Sequence, residues 1–352
     1  MRVVQVVRNF STTGGMEDYV WRLTNSLVAQ GVEVKVVCER CDADVPDGVS
    51  VSFVSQSLRG PRWFRSHGFS NQLKKWRNRH LRSNDIIHSH EFIGEADLLT
   101  FHTTIHGYGE RSWLKRMDPS WHFNQWLEKK AVCSSRLKFL IPVSDMLRNQ
   151  LDDNYRGIKN VLSSAITPGV IRPKCEVRSA NDSYPHVLGF IGREWERKGL
   201  KLVFEIFRYL VKKNPHLKLV IAGVDFEELK PFVAGLESQL DIMGWVQDKV
   251  SFYEKIDILL HPARLEAFGM VVTESLACGI PVLVSDQVGA ASEVKEEQGL
   301  VLPLKSSISE WGNAANILLK QHSKTSLVYD RSWDQVALEY QELYAKASSV
   351  NE

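Results

Sequence analysis

Two glutamates separated by seven residues, in Glu266-Ala-Phe-Gly-Met-Val-Val-Thr-Glu274, carry the strongest chemical signal in the chain. A strand over 257–260 feeds the loop His261-Pro-Ala-Arg-Leu, which delivers Glu266, and a helix starts near Gly269. Glu266 therefore sits above the strand, and Glu274 about a turn and a half into the helix. The first N–H groups of a helix have no partner within it and make a ready anion site. A carboxylate on each side of such a site suits a ligand with hydroxyls on both flanks of a phosphate, as in a nucleotide sugar. Alone, the same spacing also fits a surface helix with two solvated glutamates.

A second signal is Gly192-Arg193-Glu-Trp-Glu-Arg-Lys198-Gly199, between a strand and a helix beginning near Leu200. Arg193 and Lys198 stand at a helix N-terminus, where the dipole already favours anions, so an anion between them is expected. Arginine clamps phosphate oxygens in pairs and lysine acts as a point charge. A basic solvated loop with Glu194 and Glu196 as partners is the plainer reading. Gly14-Gly15 lies between the first strand and helix, where backbone can approach a phosphate closely. It is not a G-x-G-x-x-G, so the dinucleotide-binding fingerprint is absent.

The elements that must hold these residues alternate. Residues 2–7 read as a strand, 17–30 as a helix stopped by Gly31, and 32–38 as a strand, which is a βαβ unit with a parallel sheet. Strands follow at 49–54, 85–88, 97–102 and 138–143, with helices at 120–132 and 144–152, the latter behind Ser144 as N-cap. Residues 163–186, with Pro168, Pro173 and Pro185, read as a linker. The alternation then restarts with strands at 187–192, 217–222, 240–243, 257–260 and 281–284. Helices are expected at 199–213, 247–255, 269–279, 308–320 and 333–347. The expected architecture is α/β, two doubly wound Rossmann-like domains facing across a cleft, with ligands at the carboxyl ends of the strands.

The 352 residues suit about two domains. Hydrophobic residues at 43% and charged residues at 24% exclude a disordered or fibrous chain. The net charge of +2 hides an asymmetry, since residues 1–172 carry 24 basic and 17 acidic groups and the remainder is acidic. Cys38, Cys41, Cys133, Cys175 and Cys278 are odd in number and scattered, which argues against a disulfide framework and for a reducing compartment. Cys38 and Cys41 form a C-x-x-C without two further ligands nearby, a weak zinc signal. The opening Met-Arg-Val-Val-Gln-Val-Val-Arg-Asn is too short for a signal peptide, and no run reaches the roughly 18 apolar residues of a membrane span. A cytoplasmic protein is expected, at most peripheral on the inner face of the membrane.

Taken together, the motifs resemble the retaining glycosyltransferases of family 4, which have the two-domain GT-B fold. The likeness covers nearly the whole length. It includes Gly14-Gly15-Met-Glu17, Gly192-Arg193…Lys198-Gly199, Glu266 and Glu274, Ala277-Cys-Gly-Ile-Pro281-Val and Gly289…Glu293. The ending Ser332-Trp333-Asp334…Tyr340…Tyr344 resembles the family's closing helix, which crosses back to the first domain. The resemblance implies an acceptor-side domain over 1–167, a donor domain over 168–330 and the returning helix over 331–352.

It further implies transfer of a hexose from a nucleotide diphosphate sugar (a UDP- or GDP-sugar) with retention at the anomeric carbon. No cofactor and no metal are implied. Arg193 and Lys198, on the loop opened by Gly192, would neutralise the diphosphate electrostatically. Glu274 would bind the ribose and Glu266 the donor sugar's hydroxyls. Phe268, Gly269, Met270 and Val271 would line phosphate and sugar, Gly244 and Val246 would flank the base, and Gly14-Gly15 would close over the diphosphate. The family's histidine near the anomeric carbon matches His102 in Thr100-Phe-His-Thr-Thr, with His106 the alternative. His88 and His90 also follow a strand, and for His88 structural hydrogen bonding is the stronger reading. The leaving diphosphate would help deprotonate the acceptor hydroxyl.

Two departures from the family pattern stand out, the first of them on the acceptor side. Only six residues, 91–96, separate His90 from the strand at 97–102, and Ile166-Thr-Pro-Gly169-Val170 stands where Asn-Gly-Val is common. The short connection resembles bacterial enzymes of lipopolysaccharide core assembly, so a glycan or lipid-linked acceptor of envelope polysaccharide synthesis is expected. Residues 59–83 contain Arg59, Arg62, Arg65, Lys74, Lys75, Arg77, Arg79 and Arg82 without an acidic residue, interleaved with Trp63, Phe64, Phe69 and Trp76. That mixture fits an anionic membrane surface, against the plainer reading of a solvated helix face; no nucleic-acid motif accompanies it. Rival readings are an epimerase or a phosphorylase on the same fold, or a binding module without turnover. No motif for a phosphorylase's pyridoxal lysine is present, and the presence of Arg193, Lys198, Glu266 and Glu274 argues against the binding module.

Overall fold

The computed structural model describes residues 1–55, 62–105, 117–172, 185–320 and 328–349, without the side chains of 62–64. His106, Cys175 and Arg59 thus lie outside the described residues, as do the side chains of Arg62, Trp63 and Phe64. The chain divides into two compact units, Met1–Gly169 with Arg331–Glu352, and Val170–Asp330.

In the first unit β1 (Arg2–Val6), β3 (Glu33–Cys38), β5 (Ser50–Phe53), β6 (Asp85–Ser89), β7 (Leu98–Phe101) and β8 (Phe139–Pro142) form one parallel sheet. Its order is β5-β3-β1-β6-β7-β8. Two short strands, β2 (Asn9–Phe10) and β4 (Arg40–Cys41), pair separately. Every residue of β1 and β6 is buried, as parallel strands covered on both faces must be. Val36 packs with Val20 of helix Gly15–Ala29, while its neighbour Val37 packs with Phe69, Leu73 and Trp76 of helix Arg62–His80. Alternation along the strand thus sends successive valines to opposite layers.

That second layer corrects the reading of the basic stretch. Phe69, Leu73 and Trp76 recur at helical spacing and fill the core, so these two aromatics are not available to a membrane. Arg65, Lys74, Lys75 and Arg79 are left on the exposed face. No helix crosses from β6 to β7; Ile93 and Ala96 of the short connection pack under the same basic helix.

The last helix, Trp333–Ser349, packs on helix Gly15–Ala29 and buries Trp333, Val336, Ala337, Tyr340, Tyr344 and Ala347. A side chain at Gly169 would lie 2.8 Å from the Trp333 backbone nitrogen, so glycine is what lets these two segments touch. Arg331 Nε donates to the Thr167 carbonyl beside them (3.0 Å).

The second unit repeats the architecture. Strands β9 (Val187–Ile191), β10 (Lys218–Ala222), β11 (Leu240–Gly244), β12 (Ile258–His261), β13 (Val282–Ser285) and β14 (Gly299–Leu302) are all parallel. Their order is β11-β10-β9-β12-β13-β14. Helix Leu200–Val211 buries Leu200, Val203, Phe204, Ile206, Phe207 and Leu210 against it. Strand β14 and helix Phe226–Val233 come in addition to the elements read from sequence. In each unit the order reverses beside the first strand, between β1 and β6 and between β9 and β12. Binding sites of such sheets lie at the carboxyl side of that point.

Candidate active site

At the carboxyl ends of β9, β10 and β11 stand Gly192, Gly223 and Gly244, a floor without side chains. Gly192 N–H donates to Ala222 O (3.0 Å) and Gly223 N–H to Gly244 O (2.6 Å). A Cβ on Gly192 would fall 2.3 Å from Lys198 Cδ, so the lysine stem crosses this floor because position 192 is glycine. At the loop's other end Gly199 has φ of 85° and lies so close to β12's following residue that a Cβ would sit 2.0 Å from the Pro262 carbonyl oxygen. Both glycines of the Gly192…Gly199 motif are therefore required by packing, whatever the loop binds.

The loop aims its cations differently from expectation. Arg197 turns inward, donating from Nη1 to Glu266 Oε2 (2.8 Å) and to the Leu265 carbonyl (2.6 Å) and from Nε to Glu194 Oε2 (2.5 Å). Lys198 Nζ is 3.6 Å from the same Glu266 oxygen. Arg193 stands over the exposed Trp245 ring, 5.3 Å from its centroid.

Glu266 is held by backbone on both sides. Its N–H donates to Gln287 O (3.0 Å), and its carbonyl accepts from Gly289 N–H (2.9 Å). One residue pair on, Phe268 O accepts from Ala290 N–H (2.8 Å). Gly269, with φ of 97°, turns the chain into helix Met270–Ala277, and no side chain caps the N–H groups there. Burial alone would raise the Glu266 pKa, but the charges of Lys198 and Arg197 hold it below the ordinary carboxylate range. Beneath it lies His261, fully buried, with Nε2 3.9 Å from Glu266 Oε2 and neither ring nitrogen hydrogen-bonded. Burial, reinforced by Lys198, pushes its pKa down to about 3, so the imidazole is neutral.

Glu274 is anchored separately. Lys249 Nζ donates to both its oxygens (2.7 and 3.0 Å) and Tyr253 Oη donates to Oε2 (2.7 Å). The sequence-predicted residues thus form one cluster of Gly192, Lys198, Glu266 and Gly269, with Glu274 on the next face of the helix. Gly244 joins the glycine floor, Val246 follows it half-buried, and Phe268 and Val271 are buried beside the helix start. Arg197, His261, Lys249 and Tyr253 were not anticipated. His261 did carry a signal, being the polar end of an apolar strand.

In the first unit the corresponding strand ends hold a neutral cluster. His90 Nδ1 lies 2.8 Å from His102 Nε2, and His90 Nε2 lies 2.7 Å from Gln5 Oε1. Gln5 Nε2 donates to Tyr344 Oη (3.2 Å), which is 2.7 Å from His88 Nδ1. His88 Nε2 contacts Thr100 Oγ1 (2.7 Å), Thr100 contacts Tyr340 Oη (2.7 Å) and Tyr340 contacts Tyr19 Oη (2.8 Å). Burial drives the His88 and His90 pKa values well below the usual range, and His102 down to about 3. Gly14 caps helix Gly15–Ala29 with φ of 107°, the Glu17 carboxylate folds over it, and the space beside Gly15 is open. Among the described residues no group of three or more histidine, cysteine or carboxylate side chains is arranged to hold a metal ion.

Comparison with known proteins accounts for both units. Residues 13–170 match the family described as Glycosyltransferase Family 4, and residues 173–329 the family described as Glycosyl transferases group 1. The lipopolysaccharide core biosynthesis mannosyltransferase LpsB of Rhizobium meliloti is 33% identical over 128 residues, 33% of this chain and 36% of its own. The phosphatidylinositol N-acetylglucosaminyltransferase GPI3 subunit of Saccharomyces cerevisiae is 24% identical over 385 residues, 96% of this chain and 81% of its own. For most curated relatives the match spans less than half of the relative's length. Among solved structures, WaaG, a glycosyltransferase involved in lipopolysaccharide biosynthesis, superposes with a TM-score of 0.78 at 18% identity, covering 99% of each chain. With one matching family on each unit and this fold, the chain belongs to the family 4 glycosyltransferases of the GT-B type.

Proposed function

We propose that the protein transfers a sugar, with retention, from a nucleotide diphosphate sugar to a glycan or lipid-linked acceptor. The observation that carries the reading is Glu266, a largely buried carboxylate kept ionised by Lys198 and Arg197 beside an uncapped helix start. A buried charge is costly unless paired, and this one is paired with cations that a phosphate ligand would also attract. The diphosphate lies at the Met270 helix start, where backbone N–H groups and Lys198 receive the charge that develops on it as the sugar bond breaks. Lys198 is then shared between ligand and Glu266, whose freed acceptor capacity takes the donor sugar's hydroxyls. Glu274, braced by Lys249 and Tyr253, takes the ribose hydroxyls. Arg193, over Trp245, reaches the diphosphate by leaving that stacked position. His102 is the group of the first unit that works at the reacting carbon.

A lipid-linked acceptor is supported by the names of the relatives, lipopolysaccharide enzymes on one side and a phosphatidylinositol glycosyltransferase on the other. Among these the bacterial envelope is the setting we propose. The exposed Arg65, Lys74, Lys75 and Arg79 supply charge for an anionic surface, each worth about 1 kcal/mol near it. Flotation with anionic liposomes at low salt should carry the protein upward; no binding there removes the membrane part of the reading. The donor is tested by thermal shift with UDP, GDP and ADP, on wild type and Glu274→Ala. A ligand at 100 times its dissociation constant stabilises by about 2.7 kcal/mol. One nucleotide should shift wild type, and the variant by only about half as much at the same concentration. A folded protein that none of them shifts would overturn the donor reading.

A further inference from the structure

The histidine cluster of the first unit holds six imidazole nitrogens, and five of them have hydrogen-bonding partners. The sixth, His102 Nδ1, has none among the described residues. Which nitrogens carry protons follows from the partners. Gln5 turns its carbonyl oxygen to His90 Nε2 and its amide nitrogen to Tyr344. His90 therefore carries its proton on Nε2 and accepts at Nδ1, since a neutral imidazole has one donor and one acceptor. His102 must then donate from Nε2 (2.8 Å). On the other arm Tyr344, having accepted from Gln5, donates to His88 Nδ1, and His88 donates from Nε2 to Thr100. Thr100 donates to Tyr340 and Tyr340 to Tyr19. Every donor so far meets an acceptor, and the directions agree along the whole chain.

We propose that Gln5, His90 and Tyr344 of the last helix are positioning residues that fix His102 as its Nε2–H tautomer and aim a bare Nδ1 lone pair out of the cluster as an acceptor. This rests on the reading of His102 as the first unit's working group. The last helix thereby contributes to function through one hydroxyl, some 240 residues from His102 in sequence. The arrangement follows the general rule that a histidine's second nitrogen decides what the first can do. The opposite register, with Gln5 turned over and every bond reversed, would place a proton on His102 Nδ1 and make it a donor.

The test is nitrogen–proton correlation NMR on histidine-labelled full-length protein, with His102 assigned by His102→Gln. Wild type should show a single neutral form, protonated at Nε2 and bare at Nδ1. Tyr344→Phe keeps the ring packing and removes only the hydroxyl that orients Gln5; Gln5→Leu removes the amide itself. In both, His102 should populate the two tautomers, and kcat should fall about tenfold with the donor KM unchanged, the scale of losing a partner that orients a histidine. A wild-type His102 protonated at Nδ1, or one whose signals are the same in wild type and both variants, would overturn the proposal. If wild type transfers no sugar from any donor, the enzymatic reading fails, and the tautomer spectra still decide the relay on their own.

Discussion

The two units share a topology and handle polar groups at their strand ends in opposite ways. In the second, Arg197, Lys198 and Glu266 form a charged cluster, above a histidine whose ring nitrogens have no hydrogen-bond partner among the described residues. In the first, three histidines, three tyrosines, Gln5 and Thr100 are joined by hydrogen bonds without any formal charge, and of the six imidazole nitrogens only His102 Nδ1 has no partner among the described residues. Partly satisfied charge is costly inside a protein and is retained where a ligand completes it. A closed neutral network instead fixes geometry. The contrast separates a region where charge is left partly satisfied from one where neutral rings are tied together by hydrogen bonds.

Acid should separate the units most strongly. His88, His90 and His102 in the first unit, and His261 in the second, have folded pKa values below the unfolded one. The unfolded chain therefore takes up protons first as pH falls below about 6.5, and stability is lost down through the folded values, about 3 for His102 and His261. Each such histidine removes about 1.4 kcal/mol per pH unit in that window. Hydrogen exchange resolved along the chain at pH 7, 6 and 5 should show the first unit losing protection ahead of the second. Equal loss in both would break the contrast.

Next in size is the charged cluster. Lys198→Ala should lower kcat by roughly 10²–10³-fold, the cost of removing a preorganised electrostatic donor. The melting temperature should barely move, since Arg197 still pairs Glu266. A variant as active as wild type would remove Lys198 from the mechanism. Gly199→Ala tests the packing of the same loop. With φ of 85° and a carbonyl 2.0 Å from the new Cβ, it should cost about 1–3 kcal/mol of the second unit's stability, read by thermal melting. An unchanged melt would show that the loop is not pinned there. Smallest is Glu274→Ala, expected to raise the donor KM about tenfold with kcat nearly kept, since a ribose contact is the same in ground and transition states. Steady-state kinetics in donor concentration reads it, and a loss confined to kcat would contradict the ribose role.

Much of the second unit's cluster was legible because it depends on local order. Glycine spacing, a strand end and a helix start place Glu266, Lys198 and Glu274 within a short stretch of backbone each. What was not legible depends on tertiary direction. Arg193 and Arg197 have the same chemistry on one loop, and it is the fold that brings the Leu265 carbonyl and the Glu266 carboxylate to Arg197. Phe69 and Trp76 looked like interfacial aromatics, yet their helical spacing with Leu73 was the sign of a core face. The histidine network joins Gln5, Tyr19, His88, His90, Thr100, His102, Tyr340 and Tyr344 from distant segments, and no spacing rule links a terminal tyrosine to the first strand. Gly169 was seen only as part of a segment that departs from a family pattern; its own reason is the backbone of Trp333 pressed against it.

The central claim, that the charged cluster of the second unit drives sugar transfer, is tested most directly by product formation. Wild type and Glu266→Gln are given a panel of UDP-, GDP- and ADP-sugars with and without a lipid-linked glycan acceptor. One donor should yield product only when acceptor is present, the new bond keeping the donor's anomeric configuration. The variant, folded to the same melting temperature, should be slower by about 10²-fold or more. Acceptor-independent conversion, or a variant that matches wild type, would contradict the account.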